Sequence, residues 1–159
     1  MKFISEEIID RIAEEIGGSE EAFKEITVEL SMEQPNIAAY IFSDNFDLFT
    51  DAEKQYFLFL VLVIFKSIKI GVGEIPRASA DVLGKFEEKN WQLINEVTSK
   101  QFRDRLTVFF ENSSQEDLLA FIEDSLLEEE EDLVTKVGRE PMFIALKSII
   151  DSWCDVSLA

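Results

Sequence analysis

Residues 56–65 of this chain, Tyr-Phe-Leu-Phe-Leu-Val-Leu-Val-Ile-Phe, form an unbroken apolar run. The run is preceded by Thr50-Asp51-Ala52-Glu53, the pattern of a capping box. In such a box the threonine side chain takes the amide of the glutamate three residues on, and the glutamate reaches back to the threonine amide. A helix that starts at this box and continues to about residue 70 is apolar nearly all round, and a helix of that kind has to be surrounded by others. The β-branched Val61, Val63 and Ile64 also suit a strand, but the box and the length beyond ten residues favour a central helix. Ten residues fall short of the roughly 20 that cross a bilayer, so no membrane span is expected.

The remaining chain reads as amphipathic helices around that centre. Ser5 is placed to cap a helix over about 6–16 with Ile8, Ile9, Ile12 and Ile16 on one face and Gly17-Gly18 at its end. Ser19 caps a second helix, and Pro35 suits the first turn of a third. The pair Gly71 and Gly73 reads as the clearest break. Beyond it the pattern predicts helices over about 80–97 and 100–111, then one capped by Ser114. A short turn at 133–137 follows, and a last helix is opened by Pro141. Only six Gly and three Pro occur in 159 residues, and fourteen Phe supply core volume without polar demands. The expected fold is all-α: about eight helices in one compact bundle or short helical solenoid, a single domain over 1–159.

An internal duplication is legible at an offset of 81. Laid without a gap on residues 115–151, residues 34–70 give seven identities, among them Gln34/Gln115, Lys66/Lys147, Ser67/Ser148 and Ile68/Ile149. Each half, about 1–80 and 81–159, then holds four helices and would bury a shared core with the other. Pro141, opposite Leu60, breaks the correspondence.

The formal net charge is −18. Such a surface repels phosphate backbones and anionic lipid, so direct nucleic-acid or membrane binding is not expected, while a basic protein would associate quickly and in a salt-sensitive way. No basic residue falls between Lys24 and Lys54 or between Arg105 and Lys136, whereas those windows hold seven and ten acidic residues. Two related acidic faces are therefore expected. Their proposed contacts are Asp44, Asp47 and Asp51 in the first, with Glu128, Glu129, Glu130, Glu131 and Asp132 in the second.

The chain contains no His, which removes the commonest general base and metal ligand. The Asp44 segment fails the EF-hand loop pattern, because Phe46 and Phe49 fall where ligands and the turn glycine belong. Gly71 and Gly73 lack the third glycine of a dinucleotide loop. Cys154 has no cationic neighbour nearer in sequence than Lys147 and reads as a packed thiol. Lys66 and Lys147 read as lysines that snorkel to the surface, and Trp91 and Trp153 as core residues. A non-enzymatic binding or adaptor module for a basic protein, without cofactor and cytoplasmic, is the first functional expectation. The alternative is a carboxylate-magnesium enzyme acting on a phosphorylated small molecule, centred on Glu128, Glu131 and Asp132.

Overall fold

The computed structural model describes residues 2–128 and 133–155. Among them it is all-helical, with α1 Glu6–Gly17, α2 Glu20–Glu33, α3 Pro35–Ile41, a 3₁₀ turn Asp44–Phe46, α4 Asp51–Val72, α5 Ala80–Asn95, α6 Phe102–Glu111, α7 Glu116–Leu126 and α8 Lys136–Cys154. The Thr50 capping box forms as the spacing predicts: Glu53 N–H donates to Thr50 Oγ1 at 3.0 Å, and Thr50 N–H donates to Glu53 Oε1 at 2.9 Å. Ser19 and Ser79 cap α2 and α5 through their side chains, whereas Ser5 occupies the N-cap of α1 without such a bond.

The central helix is α4. Phe57, Leu60 through Phe65 and Ile68 are all buried, each worth about 1.5–3 kcal/mol of transfer free energy. At 22 residues α4 is also long and apolar enough, by length and composition, to cross a membrane. Here α1, α2 and α8 cover it. One core cluster extends from Ile4 to Trp153.

Three boundaries and the placement of two lysines differ from the sequence expectation, each for a physical reason. Gly71 does not end α4. It lies inside the last turn because a Cβ there would stand 2.1 Å from Ile4 Cδ1, and the helix stops at Gly73, whose φ of 87° suits glycine. Ser114 does not cap α7. Gln115 holds that place, and its amide donates to Ser113 Oγ at 2.9 Å. Pro141 does not open α8, which begins five residues earlier, where Thr135 Oγ1 accepts the Gly138 amide at 3.1 Å. Pro141 therefore sits inside the helix and leaves the Val137 carbonyl without its i+4 donor. Nor do the two lysines snorkel. Lys66 pairs with Glu29 at 3.2 Å beside the Lys69–Glu33 pair at 2.8 Å, and Lys147, 12% exposed, is paired with Asp151.

The halves cross over. α1 lies on α4 and α5 on α8; α1 also meets α7, and α5 meets α3; α4 and α8 touch. The two glutamines that begin the sequence match have one role. Gln34 and Gln115 are the N-caps of α3 and α7, with φ, ψ of −131°, 64° and −126°, 53°. Both are buried, at 0% and 1% exposure. Gln34 donates to the Ile75 and Pro76 carbonyls at 3.2 and 3.1 Å and accepts from Ala78 N–H at 2.9 Å. Gln115 accepts from Ile4 N–H at 3.0 Å and donates to the Lys2 carbonyl at 2.9 Å. Each thus holds the extended segment that leads into the opposite half's first helix.

Candidate functional site

The end of the molecule where α4 and α8 begin is built around Glu53. Its Oε1 completes the Thr50 box. Its Oε2 accepts from Thr135 N–H at 3.1 Å and from the Thr135 hydroxyl at 3.0 Å. One carboxylate therefore ties the N-caps of both helices, and a helix N-terminus favours that negative charge. Gly138 is required here, since a Cβ would lie 2.1 Å from Glu53 Oε2. One turn further along α4, the Tyr56 hydroxyl donates to the Ser125 carbonyl at 2.9 Å. The chain thus leaves α7 and enters α8 against the first two turns of α4.

Asp44, Asp47 and Asp51 are exposed on the 3₁₀ turn and at the start of α4, and Glu128 is exposed beyond α7. Asp47 has one distant partner, Lys54 at 3.8 Å. Glu129, Glu130, Glu131 and Asp132 lie outside the described residues.

A cleft of about 250 Å³ opens at this end. The Tyr40, Phe46 and Phe49 rings form one wall, with Phe46 edge-on to Tyr40 at 5.1 Å and stacked on Phe49 at 5.5 Å. Trp91 and Glu87 of α5 face them, and Glu53, Gly138 and Pro141 complete the lining. The Tyr40 hydroxyl donates to Glu87 Oε2. Burial and that carboxylate together push the phenol well above its ordinary value, so it stays a donor. Glu53 is 2% exposed, and its charge is met by hydrogen bonds alone. Among the described residues no Lys or Arg forms an ion pair with Glu53 or Glu87. Two apolar side chains stand at the mouth almost fully in water: Leu48 at 99% and Val137 at 85% exposure.

Two larger depressions lie elsewhere on the surface. A shallow groove of about 780 Å³ runs beside Phe23, Tyr56, Phe59 and Leu133. A cleft of about 460 Å³ lies between α5, α6 and α8. In the latter, Asn90 donates to Ser148 Oγ and to Asp151 Oδ2 at 3.1 and 3.0 Å, and Asp151 takes Lys147, so the charges are matched internally. Cys154 borders it. Burial first, then the Asp151 charge, push its thiol up to about 12, as befits an unreactive thiol. Among the described residues no three carboxylate or thiol groups converge as a metal site would require, and Glu131 and Asp132 of the magnesium expectation fall outside them.

Sequence reading singled out the aspartates, gave Glu53 a capping role and Trp91 to the core, and passed over Glu87, Leu48 and Val137. A signal existed for two of them. Leu48 interrupts an acidic turn, and Val137 falls off the apolar stripe of α8. The chain matches no family of known proteins, and neither curated proteins nor solved structures show significant similarity to it.

Proposed function

We propose that this protein is a non-catalytic binding module whose acidic end holds a basic protein partner. The observation that carries the reading is an aromatic cleft whose mouth exposes Leu48 and Val137, beside the exposed Asp44, Asp47 and Asp51, with Glu128 exposed where the chain leaves α7. Acidic residues alone are ordinary solvated surface. Large apolar side chains held in water beside a desolvated aromatic pocket are the anatomy of an interface core with a charged rim. The charge supplies steering and the apolar centre supplies residence time.

The test is capture from lysate of the source organism on the immobilised chain, followed by association kinetics with the basic protein recovered. Substituting Asp44→Lys, Asp47→Lys and Asp51→Lys together should slow association at least about ten-fold at ~20 mM salt and far less at ~200 mM, where the screening length is shorter. An unchanged rate at low salt refutes the reading.

We also propose that the two halves descend from one four-helix unit. Support comes from the matched glutamine caps and from the buried triplets Ile9, Ile12, Ile16 on α1 and Leu83, Phe86, Asn90 on α5, each following a serine N-cap. Superposing 2–72 on 76–154 should align all four helices in order. A fit limited to one helix pair sinks the idea.

A further inference from the structure

We infer that the cleft between the 3₁₀ turn, α5 and the start of α8 is a receptor for one arginine side chain of the partner, an assignment that rests on the binding-module reading. At about 250 Å³ it is smaller than the roughly 300–1,000 Å³ pockets that take drug-sized molecules, and its form suits a single long side chain. Its walls are the Tyr40, Phe46, Phe49 and Trp91 rings, and its two charged lining groups are Glu53 and Glu87. No cation lines it.

The electrostatics point the same way. Glu53 is a nearly inaccessible carboxylate without a cationic partner among the described residues. Its hydrogen-bond capacity is used by Thr50 and Thr135, so it acts through charge and not as a ligand. Glu87 is different. Tyr40 engages its Oε2 and thereby orients the carboxylate, which leaves Oε1 for a donor entering between the rings. A guanidinium meets these conditions better than an ammonium. It is planar, weakly hydrated and able to stack on an aromatic face while one edge donates to a carboxylate. Leu48 and Val137 at the mouth then cover the aliphatic stem and apolar neighbours of the arginine.

The experiment uses the full chain and a capped peptide with one arginine flanked by leucine and valine, against the same peptide carrying citrulline, which keeps the shape and loses the charge. The readouts are Trp fluorescence and the indole N–H resonance of Trp91. The other indole, Trp153, is 4% exposed and serves as an internal control. The arginine peptide should move the Trp91 signal saturably, with citrulline at least about ten-fold weaker. Glu87→Gln, which can still accept from Tyr40, should weaken the arginine peptide by a similar factor at unchanged thermal stability, and so should Leu48→Ser to a lesser degree. Equal binding of both peptides, no saturable change at millimolar peptide, or an unaffected Glu87→Gln variant overturns the assignment. The Asp44, Asp47, Asp51 triple reversal separates the two proposals. If it abolishes capture of the basic protein while the peptide fails, the acidic surface stands and the arginine cleft falls. If the peptide binds but no basic protein depends on those aspartates, the converse holds.

Discussion

Replacing Gln34 by Ala isolates the contribution of the buried glutamine caps. The side chain makes three hydrogen bonds to the segment before α5, at 3.2, 3.1 and 2.9 Å, and is fully buried. Each bond contributes about 0.5–1.5 kcal/mol net, and an orphaned buried group costs about 1–3 kcal/mol. The Ile75 carbonyl and the Ala78 amide belong to buried residues, while the Pro76 carbonyl belongs to an exposed one that water reaches. A loss of about 4 kcal/mol follows. Gln115 makes two such bonds, so Gln115→Ala should cost about 2–3 kcal/mol. For a chain of this length 1 kcal/mol moves the midpoint by about 2–4 °C, which gives shifts of about 12 and 7 °C in calorimetry. Gln34→Glu sharpens the test. Its carboxylate would face two carbonyls, so the fold favours the protonated form and raises its pKa. The deficit at pH 7 should therefore shrink as pH falls from the raised value and be smallest below the ordinary Glu value of about 4.3. Urea unfolding as a function of pH reads this directly. Losses below about 1 kcal/mol for both alanine variants, or a Gln34→Glu deficit that deepens in acid, would refute the role assigned to these residues.

Other substitutions probe the remaining joints. Glu53→Ala removes three hydrogen bonds and uncouples the N-caps of α4 and α8; a loss of about 3 kcal/mol is expected in denaturant titration, with a loss under 1 kcal/mol counting against a shared cap. Pro141→Ala restores an amide to the Val137 carbonyl and should raise stability by about 1–3 kcal/mol, measured as an upward shift of the unfolding midpoint. For Cys154 the raised value means the neutral thiol is favoured in the fold. Its contribution is complete below the ordinary 9.0 and is lost as pH rises toward about 12. Thiol-reagent kinetics at pH 8 should be at least about ten-fold slower than in the denatured chain.

What the sequence made legible was local. The capping box, Ser19 with Pro35, and the all-round apolar run each use a few adjacent residues, and the helices they predict are found. What stayed hidden depended on partners far along the chain. Nothing near Gly71 reveals that Ile4 presses on it, and nothing near Pro141 reveals that Thr135 already starts α8 while bound to Glu53. The likeness of α1 and α5 escaped an ungapped comparison for a related reason. Their matching triplets are 74 residues apart, against 81 for the glutamines, because the linkers after α5 and α6 are six and four residues long, against two and one after α1 and α2.

The same distinction governs the site. Charge windows are a one-dimensional property, and read that way they implied two acidic faces, one per half. The crossover adds what that reading lacks, because the N-termini of α4 and α8 meet. Placing those ends together concentrates positive helix-dipole ends, which a single carboxylate from within α4 can satisfy at both caps. Glu53 is therefore explained by the architecture, whereas Glu87 is not. It is held by Tyr40, no cap needs it, and among the described residues no cation pairs with it. A carboxylate oriented by a neighbouring hydroxyl at the wall of an aromatic cleft completes no cap and leaves one oxygen for an incoming donor. That asymmetry between two carboxylates lining one cleft is the reason Glu87, and not the more deeply buried Glu53, is the residue on which the arginine assignment should be judged.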